Sequence, residues 1–286
     1  MTKLKHTMLR SFQEEKWSKS TLVLAGHGSL YNPDAALPVY INAEKIRRKK
    51  LFKNVYETFW KEEPSFHQTL LSIQSPFIYV VPFFLSHGFF TEKVIPAEME
   101  LNGAYSKKGE KIIGYCKAIG ENPRVADIII KTVNQTLNFL DKEGYAPEER
   151  DLLLVSHGTR KNAQSKMTAY SQLELIRKSN LFRECHVLFL EEEPRISRWK
   201  EYVKSRFVFT VPFFISEGDH SYVDVPRLMG LEVKKGLAFS HNPQYIDGFY
   251  LCYTKAVGTL DEIDQVVVEQ VAQFDECFGI LAEMAC

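Results

Sequence analysis

The sequence predicts an α/β protein built as two similar lobes, each a four-stranded parallel sheet flanked by helices. Three observations carry that expectation. Residues 211–226 read VPFFISEGDHSYVDVP, and residues 81–96, lying 130 positions earlier without a gap, read VPFFLSHGFFTEKVIP. The same register extends far beyond this segment. It sets His27-Gly28 over His157-Gly158, Asn32 over Asn162, Tyr40 over Tyr170, and Glu62-Glu63-Pro64 over Glu192-Glu193-Pro194. Finally, short apolar runs alternate with helical patterns at a spacing that suits βαβ units and a parallel sheet. The chain is therefore an internal duplication, with lobes expected at 20–143 and 150–286. After Gly230 the offset grows to 138, pairing Lys117-Ala118-Ile119-Gly120 with Lys255-Ala256-Val257-Gly258, so the second copy carries an insertion there.

Each element has a local reason. Residues 1–19 form a polar lead-in. Residues 21–26 (TLVLAG) read as a buried strand that ends in a Gly-His-Gly-Ser loop. Val39, Ala43 and Ile46 share one face of a helix over 33–50, whose basic C-terminal end, Lys45 to Lys50, suits the helix dipole and solvent. A second strand is expected at 55–60, a short helix at 64–72, a third strand at 77–84 and a fourth at 111–116. Pro123 occupies a tolerated first-turn position of a long helix reaching about residue 142. Residues 145–150 (YAPEER) read as the linker. The second copy repeats the order with strands at 151–156, 186–190, 207–214 and 249–253, and helices at 163–180, 195–204 and 261–283. Right-handed crossovers place the loops that follow these strands on one edge of each sheet, where open α/β sheets present their chemistry.

Composition limits the function classes. The 286 residues contain 36 Lys and Arg against 36 Asp and Glu, for a net charge of zero, and 45% are hydrophobic. That balance favours no nucleic-acid or membrane partner. No run approaches a membrane span, and the charged N-terminus lacks the apolar core of a signal peptide. The 5 cysteines are dispersed and form no CxxC. They read as buried thiols of a reducing, cytoplasmic protein rather than a zinc or cluster site.

The two copies differ in their loops. After the first strand, Gly26-His27-Gly28-Ser29-Leu30 faces Ser156-His157-Gly158-Thr159-Arg160. After the second, Phe59-Trp60-Lys61 faces Phe189-Leu190-Glu191. After the third, Phe90 faces His220, Val94 faces Asp224, and His87 faces Glu217. The second copy thus gathers two histidines, an arginine and a carboxylate on one sheet edge, while the first keeps His27 alone of that set. Two imidazoles with a carboxylate form an open, incomplete set for a borderline divalent ion, which suits an ion that must be handed on.

These residues resemble the sirohydrochlorin chelatases, which include cobaltochelatases of cobalamin synthesis and ferrochelatases of siroheme synthesis. The resemblance rests on SHGTRKN (156–162), FLEEEP (189–194) and GDHSYVDVP (218–226), and GxHxxxDVP is its most specific part. It implies a chelatase-like fold, a cytoplasmic metal-inserting lyase, His157 and His220 as metal-binding and catalytic residues, and Glu191 as an aid to proton removal. The second copy departs from the family in two ways. FLEEEP is one residue short of the usual spacing, so Glu191, Glu192 and Glu193 compete for the glutamate role. Two-copy members also often keep their histidines in the first copy.

The residue types suit that chemistry independently. Metallation must hold an M²⁺ ion and remove two pyrrole protons, and neutral imidazole with a nearby carboxylate can do both. Co²⁺ or Fe²⁺ is expected as substrate metal, a tetrapyrrole as the small-molecule partner, and no organic cofactor. Arg160 and Asn162 are the candidate substrate-binding residues, since arginine matches ring carboxylates bidentately. Lys161, Arg195, Lys200 and Lys204 are further basic candidates, and Phe213, Phe214, Phe83, Phe84, Phe89 and Phe90 could contact the macrocycle. The rival readings are a non-catalytic metal or tetrapyrrole carrier on the same fold, and a phosphate-binding α/β enzyme using the GHGS loop.

Overall fold

The computed structural model describes residues 15–140, 146, 149–158, 163–232 and 242–283. In the first copy the strands are β1 (Thr21–Gly26), β2 (Asn54–Phe59), β3 (Phe77–Pro82), β4 (Tyr105–Lys108) and β5 (Lys111–Tyr115). In the second they are β6 (Arg150–Ser156), β7 (Glu184–Phe189), β8 (Phe207–Pro212), β9 (Gln244–Ile246) and β10 (Phe249–Tyr253). Their orders, β2-β1-β3-β5-β4 and β7-β6-β8-β10-β9, are the same topology twice. Four strands of each sheet run parallel as the spacing predicts. Each sheet also gains an edge strand, β4 or β9, that pairs antiparallel with its neighbour.

The apolar composition of the strands explains their positions. Every residue of β1 and of β8 is buried, as expected for strands covered on both faces. Beneath the second sheet Leu153, Val155, Leu188, Val208 and Leu251 pack with Trp199, Val225 and Met229. The parallel register then fixes the functional edge. Ser156 lies beside Phe189 and Val155 beside Pro212, so the chain leaves β6, β7 and β8 at one level.

Two connections differ from expectation. The segment predicted as a helix over 195–204 is a 3-10 stretch, Ile196–Glu201, interrupted at Arg198 (φ −108°, ψ 20°). The helix expected from residue 64 begins at Phe66. The strand starts carry a polar knot in the second copy. Buried Asp151 accepts from Glu184 N at 3.1 Å, Lys204 N at 2.6 Å, Ser205 N at 2.8 Å and Ser205 Oγ at 2.9 Å. Its counterpart Thr21 makes one 2.7 Å hydroxyl contact with Ser75.

The compact units cut across the duplication. One comprises Met1–Phe84, Phe89–Asn122 and Asp264–Cys286; the other comprises Leu85–Gly88 and Pro123–Ile263. The boundaries 20–143 and 150–286 follow the repeat, yet the helix that closes each repeat is exchanged between the units. Helix Ile263–Glu283 therefore serves the first unit. There Asp275 accepts from Lys16 Nζ, Trp17 Nε1 and the Tyr79 hydroxyl, each at 2.8 Å. Phe274 stands edge-on to Tyr79, and a Cβ on Gly114 would lie 2.6 Å from its ring, so glycine is needed for that approach. Helix Arg124–Leu140 belongs correspondingly to the second unit, where Lys131 pairs with Glu262.

Of the cysteines, Cys277 is exposed and Cys286 lies outside the described residues. Cys116, Cys185 and Cys252 are buried, and burial pushes the thiols of Cys185 and Cys252 up to about 12. Among the described residues no helix is long and apolar enough to cross a membrane.

Candidate metal centre and its counterpart in the first copy

Backbone rungs beyond the strands bring the second-copy loops together. Phe213 N donates to Val155 O at 2.7 Å, Leu190 N to Ser156 O at 3.1 Å, and Glu191 N to His157 O at 3.1 Å. Gly158 turns the first loop with φ +73°, and a Cβ there would meet Phe189 and Glu192 within 3.1 Å. Only glycine combines that left-handed backbone with so close an approach. A glutamate side chain thus fills the hollow of the Ser-His-Gly turn, and an incoming phosphate would meet a carboxylate there.

His220 follows β8 on a π-type turn, His220–Asp224, in which Val225 N donates back to His220 O. Pro226 follows directly; it lacks an N–H and crowds the turn before it, which favours the wider spacing. The result stacks His220 on Asp224, with Nδ1 2.7 Å from the carboxylate Oδ2. A carboxylate accepts only, so Nδ1 carries a proton, and in the neutral ring Nε2 keeps its lone pair. His157 reaches the same tautomer differently, its Nδ1–H donating to Gly158 O at 2.9 Å. The two rings stand edge to face with centroids 4.8 Å apart. Phe214 lies 5.9 Å from the His220 ring.

The three glutamates separate clearly. Glu191 Oε1 stands 3.7 Å from His157 Nε2. Glu192 pairs with Lys166 at 3.2 Å, and Glu193 accepts from Arg195 N at 3.2 Å. Arg195 also clamps the loop, donating to the carbonyls of Leu190 at 3.4 Å and Glu191 at 3.3 Å. Two bare imidazole nitrogens beside a carboxylate can hold a divalent ion while leaving positions open. Among the described residues no group of three or more His, Cys, Asp or Glu side chains is placed to hold a metal ion together, so Glu191 stands beside the imidazole pair rather than completing a three-donor set with it.

The sequence reading names Asp224 and Glu217 on this edge but gives neither a supporting role. Asp224 orients His220, and only its i,i+4 spacing hints at the pairing. Glu217 Oε1 accepts from Ala256 N at 2.7 Å and Thr259 Oγ1 at 3.1 Å, tying the His220 loop to the turn after β10. Its Oε2 is buried without a hydrogen-bond partner among the described residues, and burial raises the carboxyl above the usual range against those two bonds. Two expected ring contacts lie elsewhere. Lys204 pairs with Glu184 at the strand starts and Lys200 with Asp247, each at 2.5 Å. The cause is chain direction: 200–204 lead into β8 and approach the opposite sheet edge. Arg160, Lys161 and Asn162 lie outside the described residues.

The first copy keeps the frame and changes the occupants. His27 Nδ1–H donates to Gly28 O at 2.8 Å, and Lys61 N to His27 O at 3.0 Å. A matching π-type turn spans Phe90–Val94. The His27 ring, however, meets Phe90 at 4.8 Å and Trp60 at 5.4 Å, both edge-on. The Lys61 ammonium lies 3.5 Å from the Trp60 ring centroid. His87, set against Glu217 by the repeat, belongs to the second unit, its backbone N–H reaching Thr168 Oγ1 at 3.4 Å.

Comparison with known proteins agrees on one family. The CbiX family model matches residues 21–136 and 151–274. A Halobacterium salinarum protein named "Probable sirohydrochlorin cobaltochelatase" is 33% identical over 268 residues, which cover 88% of this chain and 90% of that one. A multi-domain Deinococcus radiodurans protein, described as structurally similar to chelatases, matches 88% of this chain with a TM-score of 0.72 at 26% identity. This chain spans about half of that protein (54%). SirB from Bacillus subtilis, solved with Fe3+, shares the fold, with a TM-score of 0.66 at 17% identity over 89% of this chain and 95% of that one.

Proposed function

Because the chain belongs to the CbiX family, we propose that it inserts Co²⁺ or Fe²⁺ into a sirohydrochlorin-type tetrapyrrole, using the centre in its second unit. The observation that carries this reading is the imidazole pair, with centroids 4.8 Å apart, beside Glu191. His157 and His220 are the donors to the substrate metal, each through Nε2. Asp224 and the Gly158 carbonyl fix the tautomers from behind, and the Asp224 carboxylate also raises the donor strength of His220.

Each metal ion entering the ring displaces two pyrrole protons, so the reaction consumes M²⁺ and releases two H⁺. Glu191, with its side chain 60% exposed, accepts those protons beside His157 and passes them to solvent. Its negative charge also draws in the cation. Arg160 and Asn162 follow His157 closely in the chain, and we assign them to the ring carboxylates. The protein acts in the cytoplasm on this reading.

The decisive experiment incubates the protein anaerobically with sirohydrochlorin and each divalent ion in turn, following the absorbance change on metallation. Turnover with Co²⁺ or Fe²⁺ supports the enzyme. Stoichiometric binding without turnover replaces it with a carrier.

A further inference from the structure

The first copy keeps His27 opposite His157, but the loop positions around it have changed together. Phe90 replaces His220, Val94 replaces Asp224, Trp60 replaces Leu190, and Lys61 replaces Glu191. Random decay of an unused site would scatter polar and apolar changes. Here the second imidazole and its aspartate give way to apolar groups and the glutamate to a cation. The rings also pack as a set. Phe90 stacks on Phe84 at 5.7 Å and meets Trp60 edge-on at 5.1 Å and Phe89 at 5.9 Å.

Core filling does not account for the outer part of this set. Phe89 is 62% exposed, and Leu30 and Tyr31, on the loop that carries His27, are 72% and 95% exposed. Lys61 is exposed and pairs with no carboxylate among the described residues. A divalent ion is excluded by the lone imidazole and the ammonium. A flat π system with an anionic rim fits both features, since aromatic faces and edges take its plane and the ammonium takes a carboxylate.

We propose that this face of the first unit binds the metal-free ring of a carboxylate-rimmed tetrapyrrole, with Phe89 and Phe90 against the ring and Lys61 on a rim carboxylate. The inference rests on the function proposed above. It makes the duplicated site a ring-holding site without metal affinity, adding to the ring contacts assigned to Arg160 and Asn162.

The test titrates metal-free uroporphyrin, a flat polycarboxylate macrocycle, into the full-length protein without divalent metal, following porphyrin fluorescence anisotropy. Phe89→Ala and Lys61→Glu should each weaken binding about tenfold. Lys61→Arg should retain it, and added salt should weaken the wild type more steeply than Lys61→Glu. His157→Ala should leave ring affinity within about twofold. Equal affinity of wild type, Phe89→Ala and Lys61→Glu, with unchanged circular dichroism, overturns the inference. So does a loss confined to His157→Ala, or a face that mediates self-association without affecting ring binding. The two readings fail separately. Turnover that ignores Phe89 and Lys61 removes the ring site and leaves the chelatase. Ring binding that depends on them, with no metallation by any ion, removes the chelatase and leaves the ring site.

Discussion

His27 and His157 sit on equivalent loops, and each donates Nδ1–H to the carbonyl of the glycine that follows, at 2.8 and 2.9 Å. The backbone has therefore prepared the same imidazole twice, with the same tautomer and the same bare nitrogen. What differs is company. His157 has an imidazole at 4.8 Å and a carboxylate oxygen at 3.7 Å, whereas His27 has the rings of Phe90 and Trp60. The fold fixes which nitrogen is offered, and the neighbours decide whether a cation will take it.

The sharpest way to break this comparison is to remove the imidazoles one at a time. His157→Ala and His220→Ala should each abolish metal insertion and weaken Co²⁺ binding, with the fold intact by circular dichroism. His27→Ala should keep most activity. Equal loss from His27→Ala and His157→Ala would sink the one-copy centre. Next in size is the carboxylate. Glu191→Gln should lower turnover by roughly 10²-fold, the scale of a lost general base. Should Glu193→Gln do this while Glu191→Gln is silent, the assignment through FLEEEP falls.

Asp224→Asn should weaken Co²⁺ binding about tenfold by loosening the ring it orients. Val94→Asp in the first copy should change nothing in the same titration. A stability comparison comes next. Asp151→Ala orphans several buried donors and should cost on the order of 3 kcal/mol in urea unfolding. Thr21→Val, removing one hydroxyl contact, should cost about 1 kcal/mol or less.

The smallest effect concerns Glu217. Its folded carboxyl titrates above the usual range, while the unfolded one titrates near the ordinary value of about 4.3. Between those values the folded chain holds a proton that the unfolded chain has released. Stability must therefore fall as pH rises through that window. Glu217→Gln should flatten the fall, and unfolding curves across that range would detect an unchanged slope.

Much of this was legible in the sequence because duplication doubles weak signals. A lone GHGS or VPFF is uninformative, but their shared register defines two sheets and one common edge, and the four parallel strands follow. The edge strands Tyr105–Lys108 and Gln244–Ile246 are too short and polar to show an alternating pattern. The π-type turns carry no residue signature beyond the following proline. Lys200 and Lys204 were misplaced because proximity in sequence to a site says nothing about which end of a strand a residue approaches. The helix exchange is invisible for a related reason: periodicity identifies the buried face of a helix but not the sheet it covers.

That exchange also orders the chain in time. During synthesis the first sheet emerges early, yet the helix bearing Phe274 and Asp275, which meets Tyr79 and Trp17, leaves the ribosome only after the whole second sheet. At a translation rate of roughly 5–20 residues per second, one face of that sheet waits several seconds or longer for its cover. The unit translated first is thus completed last. Loss of Asp264–Cys286 would take this cover from the first unit and remove no residue of the unit that carries His157 and His220.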